Sequence, residues 1–396
     1  MKALVISPQP FFSFRGTPFS VYYRTLVTAR MGVKVDLLTY GEGEDVDIPG
    51  VRIIRIPRLP GCHRIKVGPS LLKAFLDVFM IAWTVALLLR SRYDLVHAHE
   101  EAVFWARSLK PLFRFKLIYD MHSSLPQQLT NFHFTRSKLL IGLFAWLEKS
   151  VLRVSDAVIA ICPDLYDQAL KNGVEPKRAL LIENSLFEPV RLKRSRKGGL
   201  ADDLETVRPP SGPRIVYAGT FEPYQGVDLL IRGFAEARQR RPDLELVLVG
   251  GTPDQIRDMK KLADECEVDG SCLFVGQVSR ETAAKWLASA NAVASPRLHG
   301  TNTPLKLYEL LAAKKPIIAT NIWSHTQVLS PEVCFLVEPT PESMADGIVA
   351  AVSELERARM VTSAARRLYE EKYSPEIYQE RMRRLLDVVM PTPCAE

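Results

Sequence analysis

Short apolar runs recur along this 396-residue chain, and most are followed by a longer stretch with helical periodicity. A brief, continuously apolar run suits a strand buried on both faces, as in parallel sheets. The first series comprises Lys2–Ser7, Lys34–Thr39, Arg52–Ile56, Leu95–Ala98, Leu117–Tyr119, Ala157–Ile161 and Ala179–Ile182. Helical stretches lie between these runs at Thr17–Arg30, Ser70–Arg90, Lys138–Val154 and Asp164–Lys171. A second series follows at Arg214–Ala218, Leu244–Val249, Leu273–Val275, Ala292–Ala294, Pro316–Ala319 and Val333–Val337. Two successive alternations of strand and helix predict an α/β protein of two Rossmann-like domains. The length agrees, since it exceeds what one core organises.

The expected boundaries are a first domain over 1–187, a linker or surface loop over 188–213, a second domain over 214–373 and a final segment over 374–396. The linker carries Arg191, Lys193, Arg194, Arg196 and Lys197, then Gly198-Gly199 and Pro209-Pro210, a solvated composition. The final segment places Ile377, Met382, Leu385 and Val388 at helical spacing.

Hydrophobic content of 47% and charged content of 24% describe a folded globular chain rather than a disordered one. The net charge of +7 favours anionic ligands, nucleic acid or an anionic membrane surface. No nucleic-acid motif is present, so that partner is discounted. The cysteines, Cys62, Cys162, Cys266, Cys272, Cys334 and Cys394, form no CxxC pair, and no histidine cluster has metal spacing. Cys162 and Cys334 sit in or beside apolar runs and read as small core residues in a reducing compartment. Met1–Ser7 reads as a first core strand rather than a signal peptide.

Two stretches raise the question of a membrane. In Ser70–Leu89 the uninterrupted apolar part runs only from Val78 to Leu89, short of the ~20 residues a span needs. A buried helix is the first reading and an interfacial helix the second. Lys138–Val154 is amphipathic, with Leu140, Phe144, Leu147 and Val151 on one face and Lys138, Glu148, Lys149 and Arg153 elsewhere. Core packing explains it, while Phe134, Arg136, Phe144 and Trp146 keep an interfacial role open. A basic set in the first domain, Arg58, Arg64, Lys66, Arg107, Lys110, Arg114 and Lys116, makes peripheral contact with an anionic membrane a candidate partnership.

The segment from Ser295 to Leu311 is the most informative for chemistry. A strand enters a polar loop, Arg297 to Pro304, and then a helix with Leu307, Leu310 and Leu311 on one face. Such a junction suits a diphosphate, with Lys306 as a cation and Glu309 in reach of a ribose hydroxyl. The alternative is an ordinary connection, capped by Thr303 with Pro304 at the first helical position.

Several motifs in order resemble the retaining GT-B glycosyltransferases of the large family 4. Arg15-Gly16-Thr17-Pro18 stands where that family has a Gly-rich turn facing the donor diphosphate. Tyr119-Asp120-Met121-His122 matches the strand end that carries the active-site histidine. Glu183-Asn184-Ser185 takes the place of the hinge, and Tyr217 to Gly226 matches the turn opening the second domain. Val275-Gly276-Gln277-Val278 matches the loop facing the nucleobase. The resemblance implies a GT-B fold, with two Rossmann-like domains facing across a cleft. The first domain would bind the acceptor, the second a nucleotide-diphosphate sugar, and the 374–396 helix would cross back to the first.

The implied donor contacts are Gly16, Thr17, Gly219, Thr220, Gln225, Val278, Asn302, Thr303, Pro304, Leu305 and Glu309. The implied catalytic residues are His122, Arg297 and Lys306. The departures matter as much. The family's Arg and Lys positions in the opening turn hold Thr220 and Gln225, and the first of its two glutamates is replaced by Thr301. Arg297 and Lys306, with Arg15 from the first domain, are the candidates to restore positive charge.

A strand-end histidine such as His122 can simply donate to a carbonyl. Ser123 and Ser124 beside it favour a cleft position near the transferring sugar. His299 and His325 are further loop candidates, and Phe11, Phe12, Phe14, Tyr22 and Tyr23 are either core packing or an acceptor platform. Asp202-Asp203 is poorly placed for a metal, so no metal or cofactor is expected. The expected activity is sugar transfer with retention to a glycan or lipid-linked acceptor, in polysaccharide or glycolipid assembly. The expected location is the cytoplasm or the inner face of its membrane. A GT-B epimerase and a catalytically impaired sugar-nucleotide-binding protein are the alternatives.

Overall fold

The computed structural model describes residues 1–13, 16–58, 65, 70–124, 138–184, 187–188, 190–193 and 212–390, and no side chains for 138–141. Arg15, Arg64, Lys66, Phe14, Phe134, Arg136, Ser185, Asp202-Asp203, most of the 188–213 stretch, Cys62 and Cys394 lie outside these residues. The chain divides into two units. One is Met1–Ser195 with Pro375–Glu396, and the other is Arg196–Ser374.

In the first unit the elements are β1 (Lys2–Ser7), α1 (Gly16–Arg30), β2 (Lys34–Thr39), β3 (Val46–Asp47), β4 (Val51–Arg55), α2 (Leu71–Arg90) and β5 (Leu95–His99). They continue with α3 (Ala102–Phe113), β6 (Lys116–Met121), α4 (Lys138–Val154), β7 (Ala157–Ala160), α5 (Pro163–Lys171), β8 (Ala179–Leu181) and β9 (Arg191–Leu192). Seven strands form a parallel sheet in the order β4-β2-β1-β5-β6-β7-β8. β3 and β9 pair antiparallel, so the stretch read as linker contributes a short strand to this unit.

The second unit holds β10 (Arg214–Ala218), α6 (Val227–Arg240), β11 (Glu245–Val249), α7 (Pro253–Glu265), β12 (Cys272–Gly276), α8 (Arg280–Ala288) and β13 (Ala292–Ser295). Then come α9 (Lys306–Ala312), β14 (Ile317–Thr320), α10 (Trp323–Thr326), β15 (Phe335–Val337), α11 (Pro341–Ser353) and α12 (Leu355–Lys372). Its six-stranded sheet is parallel in the order β12-β11-β10-β13-β14-β15. The last helix, α13 (Pro375–Val389), belongs to the first unit. Each sheet reverses its strand order once, beside β1 in the first and beside β10 in the second. Ligands of open α/β sheets collect at the carboxyl ends of strands beside such a reversal.

Several sequence readings change on contact with the fold. The apolar run Leu117–Tyr119 is the middle of a longer strand, because buried Asp120 interrupts the hydropathy without breaking the strand. On α13 the buried face is Tyr378, Met382, Leu385 and Val389, rotated from the stripe expected at its two ends. Glu148 of α4 is buried rather than outward, and accepts a hydrogen bond from Ser124 Oγ at 3.0 Å. Phe11, Phe12, Tyr22 and Tyr23 are almost fully buried in the core shared by α1 and α13, so packing accounts for them and an acceptor platform does not. Cys162 and Cys334 are buried.

One ion pair ties the first unit together. Arg24 of α1 is fully buried and its Nη1 donates to Asp120 Oδ2 of β6. Its Nη2 donates to the Ile182 carbonyl at 2.9 Å and its Nε to the Tyr378 hydroxyl of α13 at 3.4 Å. Burial alone would raise the Asp120 carboxyl, but Arg24 and the histidines facing it hold it well below the usual range. Removing one member leaves the other charge buried and unpaired, at a cost of about 3–5 kcal/mol. Arg24→Met and Asp120→Ala are each expected to lower the unfolding free energy by that amount in urea titrations. A loss under ~1 kcal/mol in either variant would contradict the keystone role.

Candidate active site

In the first unit the site residues sit at the carboxyl ends of β1, β5 and β6. α1 opens at Gly16, with Thr17 half-buried beside it, and a Cβ on Gly16 would meet nothing within 4 Å. His122 directly follows β6 and is 3% exposed. Its Nε2 lies 3.0 Å from His99 Nδ1 and 3.4 Å from Asp120 Oδ1. His99 Nδ1 also stands 3.2 Å from Asp120 Oδ2, His97 Nε2 stands 2.9 Å from the same oxygen, and the His97 and His99 rings stack at 4.7 Å.

His122 is therefore held by a built polar network rather than by a lone backbone carbonyl. Burial lowers its pKa to about 4, with Asp120 opposing and Arg24 and His97 adding to the fall. Burial also takes His99 well below 6.5. His97, His99 and Asp120 bring ligand-type atoms within 4.8 Å of one another. The shared carboxylate oxygen, however, already accepts from Arg24, whose charge disfavours a cation there. The network was partly legible. The His97-Ala98-His99 alternation puts both rings on one face of β5, but nothing local said that Arg24 would meet them.

In the second unit two loops are stitched together beside β10. The turn after β10 runs through Gly219 and Thr220 to a short 3-10 turn, Pro223–Gln225. The loop after β13 runs from Pro296 to Leu305. Leu298 N donates to the Tyr224 carbonyl at 2.9 Å. Gly226 adopts φ +67°, and a Cβ there would come 2.1 Å from the Pro296 carbonyl oxygen, so only glycine permits this approach.

Both candidate cations come from the 297–306 segment and reach across to the turn. Lys306 Nζ donates to Gln225 Oε1 at 3.0 Å and lies 4.4 Å from the Tyr217 ring centre. The Arg297 guanidinium stands 5.4 Å from the Tyr224 ring and its Nε donates to the His299 carbonyl at 2.6 Å. Gly300, at φ +141°, has no room for a Cβ because the guanidinium occupies that space. Tyr217 in turn donates its hydroxyl to the Thr220 carbonyl at 2.6 Å, which shapes the turn. Burial, reinforced by Arg297 and opposed by Glu309, lowers the Lys306 pKa to about 7. Burial lowers Arg297 as well.

The remaining donor-side residues fall around these cations, with corrections. α9 begins at Lys306 with Leu305 at the N-cap, so Thr303 does not cap it. Thr303 Oγ1 is shielded from solvent and has no hydrogen-bond partner among the described residues. Pro304 is buried, and its carbonyl accepts from Leu307 N at 3.0 Å, while Asn302 is half-buried. Thr301 is held through its carbonyl, which accepts from Gln327 Nε2 at 2.6 Å. Val278 is half-buried just before α8. Glu309 forms an ion pair with Arg280, the first residue of α8. Sequence reasoning missed Arg280, Tyr217 and Tyr224 as partners, since each lies in a different segment from the charge it meets.

His325 is not a sugar-facing loop residue. It is buried, with Nε2 3.1 Å from Ser295 Oγ and Nδ1 2.9 Å from the Thr320 carbonyl, so it braces the ends of β13 and β14. His299 is exposed, and its carbonyl holds Arg297. Burial brings the His325 pKa to about 4, with the fields of Lys306 and Arg297 adding to the shift. The unfolded chain binds a proton below about 6.5 that the folded chain refuses until about 4. This residue's stabilisation is therefore present above 6.5 and lost as pH falls to 4, at up to about 1.4 kcal/mol per pH unit. Relative to His325→Asn, the wild type should lose unfolding free energy between pH 6.5 and 4.5 in urea titrations. A constant difference across that range would show that the ring titrates normally.

Comparison with known proteins places this geometry. The family profile for Glycosyl transferases group 1 matches residues 203–368, and that for the Glycosyl transferase 4-like domain matches residues 24–185. The chain belongs to the group 1 glycosyltransferases of family 4. A phosphatidyl-myo-inositol mannosyltransferase of Mycolicibacterium smegmatis is 27% identical over 188 residues, which cover 46% of this chain and 46% of that one. The match thus spans about half the length of that curated relative. A sucrose-phosphate synthase from Thermosynechococcus elongatus superposes with a TM-score of 0.73 at 22% identity, covering 97% of this chain and 98% of that one. Anabaena HepE, solved with UDP-glucose, superposes at 0.65 with 14% identity over 98% and 99%. The fold of this group 1 glycosyltransferase is GT-B.

Proposed function

We propose that the protein transfers a sugar from a nucleotide-diphosphate sugar to a glycan or lipid-linked acceptor, with retention at the anomeric carbon. The observation that carries this reading is the pair of cations, Arg297 and Lys306, gathered beside β10 at the carboxyl ends of the strands. A leaving diphosphate develops negative charge as the anomeric carbon becomes cationic, so positioned cations stabilise the transition state more than the ground state. Here that counter-charge comes from side chains, with no metal required. Lys306 meets Gln225 through space, at the turn position where the family carries lysine. The charge is thus moved rather than lost. Asn302, Thr303 and Leu305 complete the diphosphate cradle, Val278 faces the base, and Glu309 takes the ribose hydroxyls, with Arg280 setting its rotamer. His122, kept neutral, hydrogen-bonds the transferring sugar. The UDP-glucose bound by HepE and the lipid inositol named for the mycobacterial relative support a nucleotide donor and a lipid-linked acceptor. The cytoplasm, where nucleotide sugars are made, is the proposed location.

The test is donor turnover with the anomeric configuration of the product read by NMR. Product with the donor's configuration supports the reading, and inverted product overturns retention. Glu309→Ala is expected to weaken nucleotide diphosphate binding by about 1.5–3 kcal/mol, as for a lost charged hydrogen bond. Unchanged affinity in calorimetry would remove Glu309 from the site. A second reading, a sugar-nucleotide-binding protein without transfer, is favoured by uncharged Thr220, Gln225 and Thr301. Tight binding with neither transfer nor donor hydrolysis would establish it.

The lowered Lys306 pKa gives the site a pH signature. An anionic ligand favours the charged amine, so affinity should fall as pH rises through about 7, by up to tenfold per unit. Lys306→Met should flatten that dependence between pH 6.5 and 8.5, and Arg297→Ala should cut turnover more than it lowers the melting temperature. Full turnover in both variants would end the compensation argument.

A further inference from the structure

We propose that the helical layer of α2, α3 and α4 in the first unit is a docking surface for an anionic lipid bilayer. These three helices pack into one buried cluster through Leu76, Met80, Ala102, Val103, Val151 and Leu152, with α3 touching both neighbours. α1 and α13 pack into a different cluster. Most large apolar side chains exposed among the described residues lie on this one layer. They include Leu71, Phe75, Val78 and Leu89 of α2, Leu112 of α3 and Trp146 of α4. Leu71, Leu89 and Leu112 are each more than 70% exposed, far beyond the incidental exposure of a core residue.

Several polar side chains of α2 turn inward instead. Lys73 pairs with Glu101 at 2.8 Å, Asp77 accepts from the Tyr40 hydroxyl at 2.6 Å, and Thr84 accepts from Trp105 Nε1 at 3.3 Å. Two of the three charges of α2, Lys73 and Asp77, thus turn toward the protein while an aliphatic stripe faces solvent. It is long and apolar enough to cross a bilayer by length and composition. Yet Leu76, Met80 and Leu88 seat it in the core, so it offers a flank rather than a span.

The charge of the layer selects the lipid. The acidic side chains of α2, α3 and α4 are Asp77 and Glu148, and both are occupied inside, by Tyr40 and Ser124. The exposed charges are basic: Arg90, Lys149 and Arg153. At the end of α2, Arg90 and Arg92 line a surface cavity of about 350 Å³ together with Leu89, Tyr93, Leu112 and Phe113. A cationic rim around aliphatic walls matches an anionic headgroup at the top of acyl chains. The basic residues singled out from sequence contribute less. Lys110 and Lys116 are paired with Asp156, and Arg58 donates to the Gly41 carbonyl.

The proposal goes beyond the transferase reading and does not depend on it, since vesicle binding is measured without donor or acceptor. The full chain is sedimented with vesicles of phosphatidylcholine alone and of phosphatidylcholine with phosphatidylglycerol, at low and high salt. Binding to the phosphatidylglycerol vesicles at low salt, weakened by salt, is expected. The exposed positions allow substitutions that spare the core, and unchanged melting confirms this. Phe75→Ser with Val78→Ser should reduce binding at least tenfold, and Arg90→Glu with Arg92→Glu should do the same. Leu355→Ser with Met360→Ser, exposed apolar positions of the second unit, should change it less than twofold. No binding to anionic vesicles, equal binding to neutral ones, or full binding by the α2 variant would each overturn the proposal. So would a dimer in analytical ultracentrifugation that the α2 variant abolishes without any effect on vesicles, which would make the layer an interface between copies.

Discussion

The Arg24–Asp120 pair is the constraint on which the first unit depends. Burying two charges is costly, and their mutual attraction offsets the cost only when the remaining hydrogen-bonding capacity is also satisfied. Here three other parts of the chain supply most of it, at Ile182, Tyr378 and β5, while Asp120 Oδ1 has no hydrogen-bond partner among the described residues. Arg24 reaches the carbonyl at Ile182 and the hydroxyl at Tyr378, and Asp120 receives His97 and His99. The same pair therefore anchors the final helix to the first unit and holds the platform beneath His122. Burial, with the Arg24 guanidinium adding to it, disfavours a positive charge on His99 and His122 and keeps these two rings neutral. Stability and the protonation state of the site are set by one arrangement.

The second unit works by a different economy. Its turn has no cation of its own, and the 297–306 segment extends two cations over two tyrosine faces. Aromatic rings attract cations without neutralising them, so Arg297 and Lys306 stay available to an anionic ligand. Glycines at 226 and 300 make the approach possible, one for the backbone of Pro296 and one for the guanidinium of Arg297. Beneath, His325 braces the strand ends that carry this loop. A metal ion held by carboxylates would be a different way to present positive charge to an anionic ligand. Two cations on aromatic seats suit a fold whose ligands arrive at strand ends.

Much of this was legible in the chain. β1, β2 and β10 begin and end where the apolar runs do, and the two alternating series announced the two sheets. The candidates Arg297, Lys306 and Gln225 were all visible as residues, and the structure brings them together. Other readings failed for a shared reason. Glu148 and Asp120 were polar by type yet buried by partnership, and the aliphatic stripe of α2 was apolar by type yet left outside. His325 had the look of a loop histidine and is a brace in the core.

Strand and helix periodicity is local. Each apolar run selects its own burial, so sequence alone determined the alternation, the parallel sheets and the class of the fold. Ion pairs and hydrogen bonds are not local in that sense. Arg24 and Asp120 are 96 residues apart, and Lys306 and Gln225 are 81 apart. Which charge meets which partner depends on strand order and loop packing, and only the tertiary structure decided it. The facing of α2 was decided the same way, because a helix with apolar residues all round can turn either side inward until its charges find Tyr40 and Glu101.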